Sequence, residues 1–567
     1  CEEQLARERY ADALIDDPRA KTYFDTPWVT GHDNELRVFP LNTSFGAQSL
    51  VDMADVAKEL DLGAFAFDVA GGGARYYGPA VPRCPARAWD ERGVFVEEAV
   101  AIASLIDWVH QQKTSEGRPV AAIINPGAYS SYMTTFRCDS SMLESSPDSI
   151  ATGLAQCLRP RLGHKTMVLW ETYEYEEWLR PDLSQAEYID ALRGIADWTV
   201  QACFQVVALP TPRIAMGLTP IVQWLPVLRD MVLAGWEPVP AAIRDDGSWV
   251  SRAGSSLGCF LATGNATRQD RPVQLYVDDA WIGDGNFLWA AVGPRKPAGP
   301  VEHAVWPNKP TAVHATIPPR QPLVLQSVAT LRKLSGNIRA AVSRDGDSSR
   351  QTLTLRFDGR STGELAFAVP PYFAVTSVTV DGKPVESVTS DGGRATMPLR
   401  VDGSSTVAVE LRSLACRVSE ADLQAFPQLV GDRMDFSVAL DVNAGDHVMR
   451  SANWIANYFS TYFARAADPP ARIKPARIIT YPTEAQNENA KLIRLTLVDG
   501  RKLSAPWEIT MPDQRTLVVA AQDDRALTDG VRHLLSVWDK KFVWAGPLPP
   551  LSMLKRVGLA GKQLPAD

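Results

Sequence analysis

The sequence predicts a multidomain chain of α/β plus all-β class in three parts: a (β/α)8-type domain, a β-sandwich and a small α+β domain. Three observations carry this. Through residues 1–243, apolar strand-like runs alternate with amphipathic helical patterns, as in a parallel sheet. From 244 to 415 the apolar period shortens to two, and Asp-Gly pairs recur between the runs. From 416 to 567 helical and strand patterns mix again.

In the first part the expected strands are Leu36–Leu41, Leu62–Val69, Val120–Asn125, Thr134–Leu143, Thr166–Glu171, Gln205–Leu209 and Glu237–Ala241. That is one strand short of a closed barrel, so the barrel is expected to be incomplete, or its missing strand lies in Lys21–Trp28 or ahead of residue 1. Ala99, Ile102, Ile106 and Val109 recur at three- and four-residue steps, one apolar stripe of a helix. Ser184 with Glu187 is a capping box, opening a helix whose inner face is Tyr188, Leu192, Ile195 and Trp198. Pro226 suits the first turn of a helix through Ala234, which Gly235 ends.

In the second part Leu353, Leu355 and Phe357 alternate with polar residues, as do Val407, Val409 and Leu411. The Asp-Gly pairs at Asp345, Asp358, Asp381, Asp391 and Asp402 read as turns between strands. In the third part a helix is expected around His447–Phe463, then strands Ala476–Tyr481 and Lys491–Val498 and a hairpin of Trp507–Thr510 with Thr516–Ala521. A last helix aligns Leu527, Val531, Leu534, Leu535 and Trp538. The tail from Pro547 has little pattern.

Composition narrows the function classes. An apolar fraction of 45% and 16 tryptophans support full cores. A net charge of -8 argues against nucleic acid as a partner, which wants a basic face. No apolar run reaches the length of a membrane span. Seven cysteines lack CxxC spacing, and seven histidines form no HxxxH pair, so no metal centre and no cofactor are expected. If a bridge forms, Cys84 with Cys138 is the first pair to test. Cys1 fits the lipid-modified start of a mature bacterial lipoprotein, or else a fragment of a longer precursor. The lipoprotein reading of Cys1 places the protein outside the cytoplasm, and a homo-oligomer or a partner chain is open to it.

The chemistry is expected at the carboxyl ends of the parallel strands. Asp68 interrupts the buried run LGAFAFDVAGGG near its end, where a carboxylate is costly unless the strand opens into a site; otherwise it caps the next turn. Tyr77 follows in GGGARYYG, which lacks the spacing of a phosphate loop. Asn125 ends a strand in IINPGAYSSY, with Tyr129 after it. Asp139 and Glu144 stand in FRCDSSMLES, where Arg137 either holds a substrate oxygen or pairs with Asp139. Trp170 and Glu171 follow in VLWETYEYEEW, whose Glu174, Glu176 and Glu177 read as a solvated segment. Carboxylates mixed with aromatics suit a sugar site, since glycoside hydrolysis needs two carboxyl groups across the scissile bond. The catalytic candidates are therefore Asp68, Asp139, Glu144 and Glu171, and the substrate-binding candidates Asn125, Tyr129, Arg137, Trp170 and Tyr77.

The runs FAFDVAGGG, NPGAYSSY and CDSSMLES together resemble the second half of a glycoside hydrolase barrel of the α-galactosidase-like clan. GWEPVPA followed by RAGSSLGCFLATGNAT is similar to the passage from such barrels into their β domain. The resemblance implies Asp68 as nucleophile and Asp139 as acid/base, with retention through a covalent intermediate. RTLVVAAQDDRALTDGVRHLLSVW resembles the small α/β accessory domain that precedes the barrel in β-hexosaminidases and α-glucuronidases; here it follows. The function expected is glycoside hydrolysis of an oligo- or polysaccharide. The rival is a non-catalytic cell-surface or scaffold protein with a decayed barrel that binds glycans.

Overall fold

A computed structural model of the chain describes residues 8–10, 14–15, 35–36, 44–67, 75–76, 87–91, 93–125, 132–144, 162–163, 165–170, 205–206 and 224–541. The last span omits 249, 266, 268, 294–298, 308, 320, 392, 442–443, 467–472, 485–489, 499–502 and 539–540. Two compact units form, Cys1–Thr172 with Phe204–Val207, and Tyr173–Cys203 with Ala208–Asp567.

The first unit holds helices α1 (Ser44–Glu59), α2 (Glu98–Gln111) and α3 (Tyr132–Arg137) and five parallel strands. These are β1 (Ala64–Phe67), β2 (Ala121–Ile124), β3 (Ser140–Glu144), β4 (Thr166–Trp170) and β5 (Gln205–Val206), adjacent in chain order. Parallel neighbours need a crossover, and α2 supplies one before β2. Its stripe is buried as expected: Ala99, Ile102, Ile106 and Val109 are all 5% exposed or less. The described residues show this open run of strands and not its closure into a barrel.

Three expected strands differ. Glu35–Leu36 pairs antiparallel with Leu14–Ile15, outside the parallel sheet. Thr134 and Thr135 favour a strand by their branching, yet both are fully buried in the short helix α3, where packing overrides propensity. Trp236–Glu237 pairs antiparallel with Ser251–Ala253 and so belongs to the all-β region. Lys21–Trp28, the capping-box helix of Ser184 and the tail from Pro547 lie outside the described residues.

Among its described residues the second unit opens with α4 (Leu225–Ala234), a helix expected from the sequence but within the first part of the chain; its Pro226 needs no hydrogen bond in the first turn. Gly235, at φ 85°, turns its N–H back onto Met231 and Val232. The antiparallel strands that follow are β6 (Ala242–Arg244), β7 (Ser251–Ala253), β8 (Phe260–Asn265), β9 (Arg271–Val277), β10 (Asn286–Val292) and β11 (Val301–Val305). They continue with β12 (Thr311–Ile317), β13 (Gln321–Arg332), β14 (Ile338–Gly346), β15 (Arg350–Ala368), β16 (Phe373–Val380) and β17 (Arg394–Ser413). Two cores stabilise them: one around Leu261, Leu275 and Trp289, the other around Leu355, Phe367 and Val407. Each large side chain buried there contributes about 1.5–3 kcal/mol.

The register of β10 against β13 shifts between Leu288 and Trp289. The Trp289 N–H donates to Nε2 of the buried His303, 2.9 Å away. An accepting Nε2 requires the neutral ring, and burial agrees, lowering the imidazole to about 3. Nearby Asp279 is buried too, accepting from Thr311 Oγ1 at 2.6 Å, Phe287 N at 3.0 Å and Asn286 Nδ2 at 3.2 Å. Burial outweighs these bonds and raises its carboxyl to about 6.

The Asp-Gly pairs play two roles. Asp381-Gly382 turns the chain between β16 and Lys383–Pro384, both residues at positive φ, as expected. Asp358-Gly359 and Asp402-Gly403 instead lie inside β15 and β17, where Gly359 and Gly403 face each other. Both have positive φ, 137° and 92°, so the two long strands leave regular geometry at one level. A Cβ on Gly359 would sit 2.9 Å from the Asn337 carbonyl oxygen, whereas one on Gly403 meets nothing within 4 Å. Gly359→Ala should therefore cost about 2–3 kcal/mol and Gly403→Ala about 1 kcal/mol. Urea midpoints of the two variants check the ranking; equal losses would contradict it.

The C-terminal region has α5 (Glu420–Ala425), β18 (Phe436–Asp441), α6 (Asp446–Ala466), β19 (Arg477–Tyr481), β20 (Lys491–Leu497), β21 (Trp507–Asp513), β22 (Thr516–Ala521) and α7 (Asp524–Trp538). All but α5 and β18 match expectation closely. The sheet order is β19-β18-β20-β22-β21, parallel except for β21. Phe436, Val438 and Leu440 project from one face into a core with Ile455, Phe459, Leu534 and Trp538. Trp538 anchors it, with Phe459 at 5.2 Å and its indole N–H donating to the Leu423 carbonyl at 2.9 Å. Residues 415–417 run beside β21: Ile509 N donates to Ala415 O at 2.8 Å, and Arg417 N to Ile509 O at 3.0 Å.

Candidate functional site

The parallel sheet of the first unit has a carboxyl edge and an amino edge, and the expected site residues divide between them. At the carboxyl edge, Asn125 follows β2 and extends its ladder by donating its N–H to Phe67 O at 2.8 Å. Its side chain is buried, at 2% exposure. Glu144 is the last residue of β3, paired with Trp170, the last of β4. Asp68 and Glu171 are next in sequence after β1 and β4, but they lie outside the described residues, as do Tyr77 and Tyr129.

Asp139 lies at the other edge. It precedes β3, and its Oδ2 accepts the N–H of Ala122 at the start of β2, at 2.7 Å. The same oxygen is 2.7 Å from Nε2 of His110, in the last turn of α2. The expectation that Asp139 shares a rim with Asn125 is therefore corrected. The reason is α3: it uses up the residues read as the start of a strand, so β3 begins only after Asp139. Spacing along the sequence does not connect His110 with this partner, which stands 29 residues away. Arg137 does not pair with Asp139 either; its Nε lies 3.2 Å from Asp107 Oδ1 on α2. Both side chains are about half exposed, so this pair contributes little.

The amino edge is laced by further local bonds. Asp61 accepts the Ser115 N–H at 2.6 Å and its hydroxyl at 2.7 Å, tying the segment before β1 to that before β2. The backbone N–H of Ser115, then its hydroxyl, hold the Asp61 carboxyl below the ordinary range. Bonds of this kind at an amino edge fit a stabilising role, since chemistry in such sheets gathers at the opposite end.

Cys138 is a free, fully buried thiol, so the pairing with Cys84 does not form. Burial pushes it up to about 12, leaving almost no thiolate at neutral pH. In the native protein Cys138 should resist iodoacetamide for hours and react at once in urea; peptide mass mapping reads the label, and fast native labelling would contradict this placement. Among the described residues no group of three His, Cys, Asp or Glu side chains could hold a metal. Nor is any described helix long and apolar enough to cross a membrane.

No family model and no curated protein matches the chain. Among solved structures, one similar chain is a β-porphyranase of glycoside hydrolase family 86 from the human gut bacterium Bacteroides plebeius. It is 11% identical, with a TM-score of 0.16, over 56% of this chain and 70% of that one. A TM-score of that size does not establish a shared fold.

Proposed function

We propose that the chain is a carbohydrate-active enzyme, a glycoside hydrolase working by two carboxylates at the carboxyl edge of the parallel sheet. One observation supports this above all: adjacent parallel strands in chain order bring Asn125, Glu144 and Trp170 to a single edge. Asp68 and Glu171 each follow a strand that ends there. Asp68 is the proposed nucleophile. With Asp139 at the amino edge, the proton donor becomes Glu144 or Glu171. Strands β1 and β3 are two spacings apart, roughly 10 Å between backbones. Asn125 would then orient substrate hydroxyls, and Trp170 would offer a ring for stacking.

The test is release of reducing ends from a panel of neutral and anionic polysaccharides by the full chain, with Asp68→Ala beside it. Hydrolysis that depends on Asp68 supports the proposal. Binding of a polysaccharide without hydrolysis would overturn it in favour of a glycan-binding protein.

A further inference from the structure

The C-terminal sheet carries a polar constellation that neither its core nor the proposed catalytic edge uses. The strand order reverses at β18: its crossover through α6 leads to β19 on one side, while β20 lies on the other and leads away toward β21 and β22. The crevice outside the carboxyl ends of two such strands is where open parallel sheets bind ligands. Here those strands are β18 and β20. Asp441 ends β18, paired with Tyr481 at the end of β19, and Thr496 stands one residue beyond the last β18–β20 pair, Leu440 with Leu495. Arg494, two residues earlier, shares the face of Thr496, opposite the helices.

These side chains are joined. Thr496 Oγ1 donates to Asp441 Oδ2 at 2.7 Å, and Arg494 Nη2 donates to Asp441 Oδ1 at 3.2 Å. The guanidinium carbon lies over the Tyr481 ring, 3.9 Å from its centroid, a cation–π contact. Buried Arg494 Nε finds no acceptor among the described residues. The ion pair is not sealed: Asp441 is 42% exposed and Arg494 30%. The pair therefore keeps polar atoms open to solvent on the face away from the helices.

We propose that this cluster is a saccharide-binding subsite, accepting two neighbouring hydroxyls of a neutral sugar. The assignment rests on the carbohydrate reading above and adds a second place of contact. Its acceptor and donors lie side by side, so one hydroxyl can donate to Asp441 while its neighbour accepts from Arg494. Charge favours a neutral ligand, because an anion reaching Arg494 would meet the Asp441 carboxylate.

The test is ligand-observed NMR on the full chain, with methyl β-galactopyranoside and methyl β-glucopyranoside as neutral probes and inorganic phosphate and glucuronate as anionic ones. The expected result is millimolar binding of a neutral probe, weakened at least tenfold by Asp441→Ala and by Arg494→Met and several-fold by the milder Thr496→Val. Circular dichroism establishes that each variant is folded, and Thr496→Val carries the test if the charged variants are not. Binding insensitive to all three substitutions, no binding of either neutral probe, or tighter binding of the anions would each overturn the subsite. Hydrolysis with no effect of Arg494→Met would sink the subsite and leave the catalytic proposal standing; binding here without hydrolysis would do the reverse.

Discussion

Asp68→Ala should abolish turnover of every substrate, natural or activated, by about four orders of magnitude or more, as removal of a covalent nucleophile does. Replacing the proton donor should behave differently. A general acid matters only when the departing oxygen needs a proton, so its removal costs about 10²–10⁴ on natural glycosides. It should largely spare formation of the intermediate from a dinitrophenyl glycoside. Comparing Glu144→Ala with Glu171→Ala on both substrate types identifies the donor, and the separation of its carboxyl group from that of Asp68 predicts the stereochemistry. Asp139→Ala, which unties an amino-edge contact, should lower stability and leave kcat nearly unchanged. A full Asp68-like loss in Asp139→Ala, without loss of folding, would refute the assignment of edges.

A second large effect concerns pH. His303 is held near 3 when folded, against an ordinary 6.5, so its contribution is complete above pH 6.5 and is lost as pH falls toward 3. Asp279 is raised to about 6 from 3.8, so its contribution is complete below 3.8 and is lost as pH rises through 6. Between about pH 4 and 6 the folded chain keeps the Asp279 proton, while the unfolded chain keeps the one on His303. The two slopes, each about 1.4 kcal/mol per pH unit, cancel there. Asp279→Asn should therefore add a rise of stability with pH across this window, and His303→Gln a fall, each approaching about 3 kcal/mol over the full span. Denaturant midpoints of variant and parent at pH 4, 5 and 6 measure the differences. Parallel curves for all three proteins would show that neither group titrates in this way.

The sequence announced elements wherever one face of each is buried. The stripe of α2, the helix α7 and strands β19, β20 and β22 follow directly from apolar spacing. It failed where the decisive contact is distant. Nothing in FRCDSS says that Asp139 meets His110, and two buried threonines read as a strand until packing places them in α3. Asp358-Gly359 and Asp402-Gly403 look like hairpin turns singly; only their pairing across β15 and β17 shows what they are. Asp441, Arg494 and Thr496 were invisible for a related reason, since their meeting depends on the order of strands in space. Asn125, by contrast, was legible because a polar residue closing an apolar run announces a strand end.

The residues at 415–417 bear on how this protein could be cut or recombined. They fill the outer edge of β21, so a gene boundary placed at 416 would part Ala415 from its bond to Ile509. The released module would keep the Arg417 bond to Ile509 but leave the Ile509 N–H at an edge strand unpaired, a start for pairing with other chains. A portable C-terminal module must therefore start upstream of Ala415 and carry a few residues of its neighbour with it. Exchange of this region between genes would leave a short signature of the donor β domain at every successful junction.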